Sequence, residues 1–408
     1  MTQTLKTPET SQANRNRRTA LVRAFTEPKG FGDATLRNPR PDAIELLGGI
    51  PDPGLLPTAE LSEAAVRVLA RPGAPALQYG RTRGWPELLS WISEREDVPV
   101  EQLLITNGGF HGLNLAVSLV VERGDPVAVD NPVFPLFLRG LEISDARVVP
   151  IGVDSKGLDV DHLEEILRAG QRISAVYTVP DFHNPSQGSL SQQRRRKLVE
   201  LAEEHDFHVI ADNPYREINF TGAPVDVSAF NGSDRVIHVN TFTKTLGPGL
   251  RLGWIRLPEE LAADAIALRS RQDSHTSLLV QAIVAEYLTS DPGAFDRQLA
   301  RANQVYAGRA RTLVDALDRE LPGFFDLQVP EGGFFLWPRL QDDSIDADAL
   351  AASASRHGVE YQRGSFFPSG PGTDSDRRLR LSYSNVGEDR LDLAARQLAG
   401  AVAALRAQ

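Results

Sequence analysis

Cysteine is absent from the 408-residue sequence. The chain therefore forms no disulfide and no thiolate metal site, no metal is expected, and a reducing, cytoplasmic setting fits. No apolar stretch is long enough to cross a bilayer, and no signal-peptide pattern opens the chain. Internal repeats and low-complexity segments are also missing. Basic charge is in deficit: 44 Lys and Arg stand against 54 Asp and Glu, a formal net charge of -10. That balance argues against nucleic acid as a partner. The one early basic run, Arg15, Arg17 and Arg18, reads as part of a solvated arm. Hydrophobic residues, in contrast, make up 41% of the chain, enough for a large core and for two or three domains.

Polar residues 1–18 are expected to form a disordered arm. Ala43 to Pro57 is rich in glycine and proline and reads as an extended loop. From Thr58 strand and helix patterns alternate. Short apolar runs at 103–106, 127–129, 173–179, 208–212, 236–241 and 252–256 have the character of buried strands. Helical spacing appears at 111–121, 161–169 and 191–205. The succession implies an α/β fold, with a mostly parallel central sheet flanked by helices. After about residue 290 the pattern changes to a long helix over 296–320, strands near 333–338 and 379–384, and a closing helix over 388–407. The expected organisation is a large domain over 58–290 and a smaller α+β domain from 19–57 plus 291–408.

Chemistry concentrates in VNTFTKTLGPGLRLGWI, Val239 to Ile255. Thr241, Thr243 and Arg251 can clamp a phosphate there. Lys244, beside that clamp, can form an imine with an aldehyde on the same ligand. This pairing is what pyridoxal phosphate requires. Positive charge from Arg251 favours the uncharged amine, and glycines 247, 249 and 253 allow close backbone approach. Asp212 closes an apolar strand in HVIADNPY, where a carboxylate enters the ligand crevice and can pair with a protonated pyridine nitrogen; a turn or cap aspartate is the plainer alternative. Tyr215, three positions on, can donate to a phenolic oxygen, as can the amide of Asn184 in VPDFHNPSQG. Thr106-Asn107-Gly108-Gly109-Phe110-His111 joins a strand to a helix, and the amides of Gly109 and Phe110 supply the other half of a phosphate cup. Phe134, in DNPVFP, either stacks on a flat ring or belongs to the core. Arg380, in RLRLSYS, is an arginine in an apolar strand and needs an anion, either a substrate carboxylate or a structural partner. Spacing alone assigns nothing to Tyr79 or to His275-Thr276-Ser277.

In order along the chain stand GGIPDPGLLP, LQYGRTRG, TNGGFHGL, DNPVFP, FHNPSQG, DNPY, TFTKTLGPGLRLGW, DSHTS, PEGGFFLW and RLRLSYS. With these motifs the sequence resembles the fold-type I pyridoxal-phosphate enzymes of the class I/II aminotransferase family. The resemblance is greatest to the branch of the α-aminoadipate and kynurenine aminotransferases, and it covers about residues 43 to 400. It implies transfer of an amino group between an L-amino acid and a 2-oxo acid, with ping-pong kinetics. It implies that Lys244 holds the cofactor and shuttles the α-proton, that Asp212 partners the ring nitrogen, and that Tyr215 and Asn184 serve the phenolic oxygen. Phe134, often tyrosine in relatives, would stack on the ring. Thr241, Thr243, Arg251, Gly109 and Phe110 would hold the phosphate. Tyr79 would reach the neighbouring subunit's phosphate, so a homodimer with shared sites is implied. Arg380 would bind the substrate carboxylate, and Gly48 and Gly49 would lie in a loop closing over the substrate.

The chain departs from the family pattern at Gly109-Phe110, where relatives often have Ser-Gln or Ala-Gln, and at His111 and His183, often glutamine. A histidine near the cofactor can act as an acid or base, or simply pack. These departures keep a second reaction class open: decarboxylation, oxidation or elimination on the same cofactor. Regulators of the MocR kind share this domain but carry a winged helix-turn-helix ahead of it. The roughly 42 residues preceding the matching region lack a three-helix apolar pattern.

Overall fold

The computed structural model describes Thr19, Val22 and residues 42–407; the arm expected over 1–18 lies outside these residues. The chain divides into Met1–Asn38 and Pro39–Gln408. In the first unit the Val22 amide donates to Thr19 Oγ1 at 3.2 Å. The second unit holds both main sheets and all the candidate residues.

Its strands are β1 (Ile44–Leu46), β2 (Leu103–Thr106), β3 (Pro126–Asn131), β4 (Arg147–Asp154), β5 (Gly157–Leu158), β6 (Ala175–Thr178), β7 (His208–Asp212), β8 (Val236–Thr241) and β9 (Gly253–Arg256). The C-terminal part adds β10 (Phe325–Asp326), β11 (Phe335–Leu336), β12 (Arg339–Leu340), β13 (Val359–Arg363) and β14 (Leu379–Ser382). Eight of them form one sheet in the order β2-β9-β8-β7-β6-β3-β4-β5. From β8 through β7, β6 and β3 to β4 all pairings are parallel; β9 runs antiparallel to both β8 and β2, and β5 antiparallel to β4. Every residue of β2, β3, β6, β8 and β9 is buried, as continuous apolar strands require when helices cover both faces of a sheet.

Two segments differ from their expected form. β4 was not expected as a strand: Pro150 and Gly152 interrupt its valines and isoleucine, and its exposed and buried positions intermix. It pairs with β3 toward the edge of the sheet, where only part of each strand is covered. The loop expected from Ala43 to Pro57 contains β1 and a short 3-10 turn at Pro53–Leu55. β1 pairs with β13 in parallel, Ile44 opposite Val359, so a distant partner overrides the local glycine and proline signal.

The smaller sheet has the order β1-β13-β14-β11. Helix Glu388–Arg406 packs on Ala294–Glu320 and on Ala347–Arg356, and it and Ala347–Arg356 pack against β13. One continuous apolar core includes Ile210 and Val239 of the large sheet with Phe335 and Leu381 of the small one.

This topology fixes where a ligand can sit. Parallel strands β3, β6, β7 and β8 end on one edge, where open α/β sheets bind ligands. Thr106 and Thr241, at the ends of β2 and β8, both pair with Gly253 at the start of β9. The segments 107–110, 241–244 and 251–253 therefore converge.

Candidate active site

Gly108 has φ +79° and precedes the helix Gly109–Val120. A Cβ there would lie 2.7 Å from Arg251 Nη2, and a Cβ on Gly253 would lie 2.7 Å from the Asn240 carbonyl and 2.9 Å from Gly108 C. Only glycine allows the two backbones to approach so closely. Arg251 Nη2 donates to the Asn107 carbonyl and Nη1 to the Pro248 carbonyl, both at 3.3 Å. The guanidinium is thus held over the helix start. Thr241 Oγ1 lies 2.7 Å from Thr243 Oγ1, accepts from the Thr243 amide at 3.1 Å and donates to the Leu252 carbonyl at 3.0 Å. The exposed guanidinium, two hydroxyls and a helix N-terminus form an anion cup.

Lys244 ends the short turn Phe242–Lys244. Its Nζ donates to the Gly49 carbonyl at 2.7 Å and lies 5.6 Å from the Tyr215 ring centre. Burial, then the Arg380 charge, lowers its pKa to about 8; Asp212 opposes the shift and Arg251 adds to it. Asp212, at the end of β7, is 7% exposed. Burial raises its pKa to about 7, against the pull of the Tyr177 hydroxyl and Lys244. Tyr177 Oη donates to Asp212 Oδ2 at 2.9 Å, and its ring stacks on Phe137 with centroids 3.4 Å apart.

Asn184 follows β6 and precedes a cis proline. Its Nδ2 points to Tyr215 Oη at 3.5 Å, and its Oδ1 accepts from Arg380 Nη1 at 2.9 Å. Tyr215 is buried, which raises its pKa. Arg380, on β14, is 2% exposed. Its Nη2 donates to the Leu47 carbonyl at 2.6 Å, and its guanidinium lies 4.1 Å from the Phe335 ring centre and 5.0 Å from that of Phe367. Burial lowers its pKa to about 9. A buried guanidinium beside an uncharged amide and two rings favours a carboxylate ligand.

The structure thus brings Lys244, Asp212, Tyr215, Asn184, Arg380 and Gly49 into one connected group, and Gly109, Thr241, Thr243 and Arg251 into an adjoining cup. Phe134 packs on Phe110 at 5.8 Å between ring centres, with the Phe110 ring 38% exposed. Tyr79 stands apart: it is 92% exposed, with only the edge of His275 beside it at 6.0 Å. His111 Nδ1 accepts from the Asn107 amide at 3.2 Å, so it braces the cup. His183 is 1% exposed; Nδ1 accepts from the Ser186 amide at 3.2 Å, and Nε2 lies 3.2 Å from Asp130 Oδ2. The ring is held between Ser186 and Asp130.

Tyr177 and Phe335 escaped the reading of the sequence. A tyrosine hydroxyl inside a fully buried strand needs a partner, and that signal was present in Tyr177. Phe335 lies in PEGGFFLW, where nothing marks one phenylalanine from the next.

The described residues fit pyridoxal phosphate: a cup for the phosphate, a lysine with a lowered pKa, and a buried carboxylate. A model of the family "Aminotransferase class I and II" matches residues 51–398. The chain belongs to the class I and II aminotransferases. It is a pyridoxal-phosphate-dependent enzyme that moves an amino group between an L-amino acid and a 2-oxo acid. The aminotransferase is 31% identical to aromatic-amino-acid aminotransferase 1 of Thermococcus litoralis, over 88% of this chain and 87% of that one. Its fold matches the crystal structure of α-aminoadipate aminotransferase from Thermus thermophilus, complexed with N-(5'-phosphopyridoxyl)-L-leucine, with TM-score 0.82 and 30% identity over 92% and 98% of the two chains. It also matches Pyrococcus horikoshii kynurenine aminotransferase, with TM-score 0.83 and 28% identity over 97% of both chains.

Proposed function

We propose that Lys244 is the residue that holds the cofactor and carries the α-proton, that Asp212 and Tyr215 tune the ring, and that Arg380 selects substrates by their α-carboxylate. The observation that carries this reading is the setting of Lys244: a half-buried lysine whose amine donates to the Gly49 carbonyl, with its pKa lowered to about 8 by desolvation and then by the Arg380 charge. When bound, pyridoxal phosphate supplies an aldehyde carbon that takes up the amino group and a ring that accepts the electron pair left by the α-proton. The lowered pKa enlarges the free-amine fraction of Lys244 near neutral pH, and the free amine serves as nucleophile and then as base. Asp212 is held through Oδ2 by Tyr177, and its carboxylate is the partner for a ring N–H. Asn184 lies between Tyr215 and Arg380, so it couples the phenolic-oxygen side of the site to the carboxylate side. Gly109, the Phe110 amide, Thr241, Thr243 and Arg251 hold the phosphate, and Phe134 covers the ring. Gly49 borders the substrate.

The enzyme works as a homodimer in this reading, in the cytoplasm, with Tyr79 completing the partner's phosphate site. The exposure of Tyr79 and of nearby Leu77, at 92% and 59%, supports a covered surface in the assembly. Among the described residues no helix is long and apolar enough to cross a membrane. In this reading Lys244 belongs to a large domain over 58–290 and Arg380 to a small one that includes 291–408, and the Arg380–Asn184 bond joins the two at the site.

The test is single-turnover absorbance of the holoenzyme mixed with a panel of L-amino acids. Conversion to the pyridoxamine form is expected with wild type and not with Lys244→Ala. Conversion at an unchanged rate in Lys244→Ala contradicts the assignment.

A further inference from the structure

Four consecutive carbonyls, of Leu47, Gly48, Gly49 and Ile50, each accept a hydrogen bond from a side chain. Arg380 Nη2 serves Leu47 at 2.6 Å and Lys244 serves Gly49 at 2.7 Å. The other two donors are serines with no assigned role: Ser382 Oγ donates to Gly48 at 2.8 Å and Ser384 Oγ to Ile50 at 2.7 Å. Arg380 and Ser382 alternate on β14 and so face the same side, and Ser384, two residues past the strand's end, brings its hydroxyl beside that of Ser382. Both serines are buried, at 2% and 0% exposure, and their hydroxyls lie 3.1 Å apart. Ser382 also pairs across the sheet with Phe335, and a Cβ on Gly49 would stand 2.5 Å from that ring's Cζ. Gly49 thus lies against the tip of Phe335, over whose ring the Arg380 guanidinium sits.

We propose that Ser382 and Ser384 are positioning residues for substrate: they clamp the strap 47–50 onto Phe335 and so fix the wall against which Arg380 receives an α-carboxylate. The proposal rests on the reading of Arg380 given above. Amino-acid and 2-oxo-acid substrates share the α-carboxylate, so a loosened strap weakens both equally. The phosphate cup, with Thr241, Thr243 and Arg251, lies outside the strap, and of the cofactor residues only Lys244 touches it, through the Gly49 carbonyl.

The experiment compares holoenzymes of wild type, Ser382→Ala, the Ser382→Ala/Ser384→Ala pair, Arg380→Lys, and Ser353→Ala. Ser353 is an equally buried serine whose Oγ donates to the Ala401 carbonyl at 3.0 Å, in the helix Ala347–Arg356. Losing each strap hydroxyl is expected to raise KM about threefold, and the pair about tenfold, by the same factor for donor and acceptor. Little change is expected in kcat or cofactor affinity. Ser353→Ala should lower Tm comparably and leave KM unchanged. Unchanged KM in the pair, with a raised KM in Arg380→Lys, overturns the strap and spares the Arg380 reading. Unchanged KM in both overturns both. A KM shift matched by Ser353→Ala reduces the effect to general packing and overturns the proposal.

Discussion

Arg380 Nη1 donates to Asn184 Oδ1 at 2.9 Å, joining the small sheet to the loop that follows β6 of the large one. The bond places the carboxylate anchor one side chain away from Tyr215, which Asn184 also approaches. Substrate recognition and ring tuning are therefore adjacent by construction.

Arg380→Lys keeps a charge and loses the fork geometry and the stacking on Phe335 and Phe367. KM for amino acid and 2-oxo acid should both rise, roughly tenfold or more, because a bidentate charge-assisted pair is lost. Steady-state kinetics with both half-reactions measure it.

Asp212 has a folded-state pKa of about 7, above its ordinary value of 3.8. In the cofactor-free protein the unfolded chain thus releases this proton first as pH rises. Stability contributed by the protonated carboxyl is complete below about pH 4 and is lost progressively up to about pH 7. Asp212→Asn does not titrate. Urea denaturation of the cofactor-free forms should therefore show the variant gaining on wild type across that window, by a few kcal/mol in order of magnitude. A difference independent of pH contradicts it.

Tyr177→Phe keeps the stack on Phe137 and removes the hydroxyl that stabilises ionised Asp212. kcat should fall about tenfold, from the loss of roughly one charged hydrogen bond, with KM little changed. The Asp212 titration in the cofactor-free protein should move upward.

Gly108→Ala puts a side chain at φ +79° and a Cβ against Arg251. The backbone strain is about 1 kcal/mol and the displaced guanidinium adds to it, so cofactor affinity should fall about tenfold or more. Equilibrium dialysis or absorbance titration with pyridoxal phosphate measures it.

The large sheet was legible where a short, mostly apolar run is buried along almost its whole length. Runs at 103–106, 208–212 and 236–241 are strands with those bounds. β4 was hidden because Pro150 and Gly152, both poor strand residues, break up its valines and isoleucine. β1 was hidden because its three residues owe their form to β13, more than 300 residues away. Lys244 and Arg251 were legible because their chemistry is crowded into one loop. Ser382 and Ser384 stood in the open in RLRLSYS, alternating with Arg380, but their meaning depends on carbonyls more than 300 residues away in sequence. His183, open in the sequence to an acid–base or a packing role, lies buried between Asp130 and Ser186.

The central claim is that one amine, that of Lys244, carries the cofactor. Borohydride reduction of the holoenzyme followed by peptide mass mapping tests it directly. The account predicts a single phosphopyridoxyl adduct, on the peptide containing Lys244, lost in Lys244→Ala. An adduct on another lysine, or none at all, contradicts it.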